Sequence, residues 1–347
     1  MTTKLFSIAA DKLDELFELI ASKADLYYPQ DDAEGKSDYK PYKKGAALSK
    51  GLNTKRSAKD FFFPQIENYV NFTVEGKSIE IKEQPKCDRD FVIFGVRACD
   101  VKSFSILDTV FLNEPVDGYY KARREHAITV TSACNRPAET CFCTTLGIDP
   151  VNPDGDVSSW CANGKYYFTP NTDKGIKFIE MASELLVEAD WMEIREFIDG
   201  AKKVFKKLPL KDVDFKKFFS DKTMMERYND PRWAEIYKTC LACGTCTYVC
   251  PTCQCYDIKE FKNGNDVIRY RCWDSCMYSD FTKMSAGQPR PTQLERFRQR
   301  FMHKLVYYPM NNQGTPGCVG CGRCLASCPI SMNIVKVAKK LQEEEIK

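Results

Sequence analysis

The sequence predicts an α+β protein: an N-terminal α/β domain over residues 1–225 that contains a βαβ unit, then an all-α domain over residues 226–347. Three observations predict it. Phe91 to Val96 (FVIFGV) is a continuous apolar run of the kind a strand buried on both faces shows. A helical pattern, Val101 to Phe111, and a second apolar run, Ala127 to Ala133 (AITVTSA), follow it and complete the unit. Further on, Cys240 to Cys250 (CLACGTCTYVC) and Cys318 to Cys328 (CVGCGRCLASC) repeat one cysteine spacing, each followed by proline. Asp230-Pro231 supplies an N-cap and a first-turn proline for a short helix running into Cys240, which sets the boundary near residue 225.

The remaining elements follow in order. Residues 9–23 place Leu13, Leu16, Phe17, Leu19 and Ile20 among acidic residues at helical period, an amphipathic helix that packs on a core. Residues 28–60 are polar and read as surface loops without nameable chemistry. Tyr69 to Val74 and Ser78 to Lys82 flank Glu75-Gly76-Lys77 as a hairpin. A second hairpin turns at Asn163-Gly164. From Gly175 to Phe219 the pattern is helical, and the Lys-rich stretch 202–217 reads as a solvated face. Thr292 and Glu295 form a capping box for a helix with Leu294, Phe297, Phe301 and Leu305 on one face. Arg296, Arg298, Arg300 and Lys304 occupy the other, either as a solvated face or as cations beside a redox centre or an acidic partner.

Composition narrows the function. The chain has 347 residues, 43% hydrophobic and 12% aromatic, enough for a sizeable core, and a net charge of +3 without the dense basic stripe that nucleic acid requires. Its first residues, MTTKLFSIAADKLDELF, carry acids where a secretory leader needs an unbroken apolar run, and no window has the length of a membrane span. A cytoplasmic location is expected, where its 18 cysteines stay reduced and free to bind metal.

Both repeated runs read C-x2-C-x2-C-x3-C-P, the spacing of bacterial [4Fe-4S] ferredoxins, in which the fourth cysteine ligates the other cluster. Cys240, Cys243, Cys246 and Cys328 are therefore expected to hold one [4Fe-4S] cluster, and Cys318, Cys321, Cys324 and Cys250 a second. Zinc sites use paired C-x2-C, often with histidine, and this chain has only His126 and His303. Parallel strands of the βαβ unit end at one sheet edge, where α/β folds place ligands. Cys99 follows the first strand and Cys134 the second, and the loop carrying Cys141 and Cys143 returns to that edge. A third cluster is expected on Cys99, Cys134, Cys141 and Cys143. Cys87 and Cys161 are incidental thiols. Cys253, Cys255, Cys272 and Cys276 either bind a further metal or cluster or pack as thiols beside the other centres, and their irregular spacing favours the second reading.

The chain resembles the beta subunit family of cytosolic nickel-iron hydrogenases (sulfhydrogenases), which also includes the corresponding iron-sulfur subunit of anaerobic sulfite reductase. The resemblance rests on SAKDFFFPQIENY, FGVRACDVKSFSILDTVF, YYKARREH, CFCTTLG, CLACGTCTYVCPTCQCYD, RYRCWDSCM, ERFRQRFMHK and CVGCGRCLASCP. It implies an electron-transfer subunit with a helical dicluster domain and a further N-terminal iron-sulfur site, docked on a flavoprotein subunit that binds FAD and NAD(P)H. It also covers Cys99, Cys134, Cys141 and Cys143, and Cys253, Cys255 and Cys276. Cys272, Cys87 and Cys161 depart from the family pattern. Neither a G-x-G-x-x-G after a strand nor a Walker loop is present, so no nucleotide site is expected in this chain itself. The expected function is non-catalytic: relay of single electrons between the flavoprotein and a catalytic subunit, a nickel-iron hydrogenase or, alternatively, a sirohaem sulfite reductase. A structural or sensory iron-sulfur protein is the third reading.

Overall fold

The structure is a computed structural model and describes residues 4–208, 210 and 212–343; the extreme ends of the two expected domains lie outside these residues. From one edge to the other, the large sheet contains Val187–Ala189 (β10), Leu5–Ala9 (β1), Lys165–Pro170 (β9), Val157–Ala162 (β8), Ala127–Ser132 (β7), Phe91–Val96 (β6), Asp25–Asp31 (β2) and Ser37–Pro41 (β3). Its centre is parallel: β6 pairs with β2 and β7, and β7 with β8, while the outer strands pair antiparallel.

Every residue of β6 is buried, because both faces of the sheet are covered. Val92 and Phe94 pack towards Leu16, Phe17 and Ile20 of the amphipathic helix Leu13–Ala21. Phe91 and Ile93 face Phe104, Leu107 and Phe111 of the helix Ala98–Phe111, together with Phe62 and Phe63. The βαβ crossover includes a second helix, Gly118–His126, capped by Asp117. Both expected hairpins form, the second one pairing β8 with β9.

Three expectations need correction. Residues 28–60 are not only loops: they complete β2, form β3, and bury Thr54, Ser57 and Lys59. The helical pattern from Gly175 is broken after Asp173–Met181 by β10, an edge strand, before the helix Met192–Phe205 resumes it. The described lysines at 202, 203, 206, 207 and 217 are exposed; Lys211 and the Lys216 side chain lie outside the described residues. The C-terminal half is not all-α. Tyr256–Asn263 (β11) and Asp266–Trp273 (β12) form an antiparallel hairpin turned at Gly264 and Asn265, and β12 pairs with Ile66–Glu75 (β4). With Ser78–Glu83 (β5) they make a four-stranded sheet in the order β11-β12-β4-β5, which joins both halves of the chain.

The remainder of the C-terminal half is helical around Trp233, Phe297, Phe301 and Leu305. The helix Gln293–Met302 opens with the expected capping box and continues into a π-helical turn, His303–Tyr307. Among the described residues no helix is long and apolar enough to cross a membrane.

Candidate iron-sulfur centres

Each cysteine run wraps as a loop into a one-turn helix, Thr245–Tyr248 and Arg323–Ala326, entered through a left-handed glycine, Gly244 at φ 73° and Gly322 at φ 78°. The tight turn gathers three thiols, and the short helix carries the fourth away. Cys240 interacts with Cys246, Cys243 and, from the other run, Cys328. Cys324 interacts with Cys250, Cys318 and Cys246, and Cys321 with Cys250 and Cys324. The fold thus brings together each crossed set expected from the spacing and sets them side by side.

Burial raises the thiols of Cys240 and Cys318, lifts Cys324 to about 12 and raises Cys321 well above the ordinary range. Cys243 is exposed, and the Thr245 hydroxyl lowers it. The first set therefore reaches the surface. The second is enclosed.

At the sheet edge, Cys99 stands in the first turn of the helix Ala98–Phe111 rather than in a loop after β6, Cys134 just past β7, and Cys141 and Cys143 on the returning loop. All four line one small cavity with Asn53, Arg97 and Cys321. Burial raises each thiol, Cys143 to about 12. This loop lies directly on the second ferredoxin run: Phe142 N–H donates to the Gly320 carbonyl at 2.9 Å. A β-carbon on Gly320 (φ 61°) would stand 2.6 Å from Cys143 N, and one on Gly322 2.5 Å from the Thr140 carbonyl. Only glycine permits that approach. Asn53 donates to the Cys321 carbonyl at 3.1 Å, and the buried Arg323 guanidinium binds both Asp100 oxygens at 2.5 and 2.7 Å.

Three further cations were not legible as site residues or were left open. Lys59, Arg300 and Lys304 are buried. Lys59 donates to the Cys253 carbonyl at 3.0 Å, Arg300 to the Cys246 carbonyl at 3.3 Å, and Lys304 to Thr252 Oγ1 at 2.6 Å and the Gly317 carbonyl at 3.0 Å. Arg300 and Lys304 have no carboxylate in a salt bridge among the described residues, Lys59 feels Asp60 after Cys253 and Cys250, and Arg300 Nε has no acceptor. Burial pulls Lys304 down, yet Cys250, Cys253 and Cys318 more than offset it and the pKa rises. A buried cation is costly unless an anion answers it. Here the leading answering groups are sulfurs, which fits thiolates held on metal. The basic face expected on this helix is therefore divided: Arg300 and Lys304 point inward, while Arg296 and Arg298 are half-buried against the carbonyls of Arg290, Pro291 and Tyr228.

Cys253, Cys255 and Cys276 come together beside Cys250. Cys272 does not join them; it lies half-buried on β12 beside Lys259 and Asp257. Cys87 donates to the Arg89 carbonyl, and Cys161 is exposed on β8. Among the described residues no three His, Cys, Asp or Glu side chains are drawn in on a single ion. A cube takes its four thiolates at separate corners.

Comparison with known proteins agrees with this chemistry. The family profile of the 4Fe-4S dicluster domain matches residues 239–332. Sulfhydrogenase 2 subunit beta of Pyrococcus furiosus is 33% identical over 261 residues, 74% of this chain and 75% of that one. The chain belongs to the beta iron-sulfur subunit family. Within this family chain, the dicluster match begins one residue before Cys240 and ends four residues after Cys328, so the sheet-edge quartet lies outside it.

Proposed function

We propose that this chain is the electron-transfer subunit of a hydrogenase-type complex, relaying single electrons between a flavoprotein subunit that binds FAD and NAD(P)H and a catalytic subunit in the cytoplasm. The observation that carries the reading is the contiguity of three thiol sets. Cys134, Cys141, Cys143 and Cys99 adjoin Cys321; Cys321, Cys318, Cys324 and Cys250 adjoin Cys246; Cys246, Cys240 and Cys328 adjoin Cys243 at the surface.

Bound [4Fe-4S] clusters supply one-electron exchange, and this chain's residues determine how that exchange is tuned. Gly320 and Gly322 let two cysteine loops touch backbone to backbone. Arg300 and Lys304 place positive charge against the middle set, which favours the more negative, reduced form. Ile106, Tyr308 and Val319 pack around Cys99, Cys143 and Cys321 and exclude water. The fully thiolate sets leave no open position for substrate, which is why catalysis is assigned to a partner. The relative's name favours a hydrogenase partner over a sulfite reductase.

The experiment combines anaerobic purification with iron counting. Cys143→Ser is expected to lose about four irons per chain and one EPR signal while the ferredoxin-run signals persist; unchanged iron removes Cys143 from the ligand set. Co-purification of a nickel-iron subunit supports the reading, and a sirohaem subunit in its place overturns the hydrogenase assignment.

A further inference from the structure

We propose that Cys253, Cys255 and Cys276, with the imidazole of His303, hold a further iron-sulfur cluster beside the second ferredoxin set. This goes beyond the relay between flavoprotein and catalytic subunit, which needs none of these four residues.

The irregular spacing C-x-C followed twenty-one residues later by a third cysteine has a structural cause. β11 and β12 form one hairpin whose last pair is Tyr256 with Trp273. Cys255 precedes the first strand and Cys276 follows the second, so the hairpin's open end returns them to each other, and Asp274 N–H donates to the Cys255 carbonyl at 3.0 Å. Cys253 sits two residues further out, its carbonyl held by Lys59. The sequence separation disappears in the fold.

The fourth donor comes from another element. Cys253, Cys255, Cys276 and His303 line one small cavity with Arg300, Lys304, Ile106 and Tyr308. His303 opens the π-helical turn, an irregularity that re-aims side chains and recurs at functional sites. Among the described residues no hydrogen bond to its ring is found. An imidazole nitrogen is the commonest protein metal donor besides a thiolate, and this one lines the same cavity as the three cysteines. A half-buried imidazole with no hydrogen-bond partner, lining one cavity with three converging thiols, is placed to serve as a ligand.

Charge agrees. Lys59, Arg300 and Lys304 bear on Cys253 as well as on Cys250, so the cations serve both sites. Ile106 and Tyr308 touch this cavity and also pack with Cys99, Cys143 and Cys321, which makes the site a neighbour of both enclosed sets.

Iron and acid-labile sulfide are counted on the anaerobically purified chain and on Cys276→Ser, Cys143→Ser and their combination. The expected values are about sixteen irons for the natural chain, about twelve for each single variant and about eight for the double, at four per cluster. A natural chain with about twelve irons that only Cys143→Ser lowers overturns this proposal and leaves the sheet-edge cluster standing. About twelve irons that only Cys276→Ser lowers sustain it and overturn the sheet-edge assignment instead. Stoichiometric zinc released by Cys276→Ser also overturns it. Histidine ligation has its own readout: pulsed EPR of the reduced chain is expected to show a nitrogen coupling that His303→Cys abolishes with iron retained, and absence of that coupling in the natural chain removes His303 from the site.

Discussion

Lys304 carries its charge into the protein interior with only a hydroxyl and a carbonyl to receive its hydrogen bonds, and the anions it faces are sulfurs. Its effect on a neighbouring cluster follows in sign from electrostatics alone. A unit charge at ~8 Å in an effective dielectric of ~20 interacts by roughly 2 kcal/mol, close to 90 mV for a one-electron couple at about 59 mV per tenfold. Lys304→Met is therefore expected to lower the potential of one enclosed centre by that order while iron content is kept. A redox titration followed by EPR reads it, and an unchanged or raised potential contradicts the placement. Thr252 Oγ1 still donates to the Gly317 carbonyl in the variant, so that acceptor is not orphaned. At this scale the sequence revealed the cysteines because thiol spacing within a loop is local geometry. It concealed Asn53, Lys59 and His303, whose roles arise only from chain segments that meet across the fold.

Among the elements, those with local signals were the readable ones. The capping box at Thr292 and Glu295, the hairpin around Gly76 and the doubly buried run Phe91 to Val96 each state their conformation within a few residues. β2 and β3 were hidden because Pro29, Pro41 and flanking aspartates interrupt their alternation, and β3 is an edge strand that tolerates them. The hairpin at 256–273 had a turn signal in Gly264-Asn265, but its strands mix charged and apolar residues and the whole of β11 remains exposed. The loop-on-loop contact at Gly320 had no signal at all, since a cluster loop contains glycine for its own reasons. Gly320→Ala tests that contact. The added β-carbon meets the Cys143 backbone nitrogen in a left-handed conformation, so the variant is expected to lose about 1–3 kcal/mol, and with it the sheet-edge cluster's signal. Gly264→Ala is the control, because nothing lies within 4 Å of its β-carbon. It should cost about 1–2 kcal/mol for the positive φ and keep all its iron. Equal iron loss in both variants would show backbone strain, rather than the loop contact, to be the cause.

At the scale of the molecule, the two halves read from the sequence are tied together at the points where the thiols meet. β12 pairs with β4, Arg323 binds Asp100 and the Thr54 carbonyl, Asn53 holds the Cys321 carbonyl, Lys59 holds the Cys253 carbonyl, and Phe142 pairs with Gly320. A compact ferredoxin encloses its clusters with its own chain. Here residues 53 to 143 supply part of that enclosure. Residues 226–347 made alone would expose the β12 edge and leave Arg323 without its carboxylate, and breaking a buried ion pair from one side costs about 3–5 kcal/mol. That is a large part of the stability of a domain this size. The separate segment is therefore expected to be poorly soluble or iron-deficient, and co-expression with residues 1–225 should restore both soluble yield and iron. A segment that alone binds its full complement of iron and unfolds in one sharp denaturant transition would mean that the contacts across the halves position the thiol sets without stabilising them.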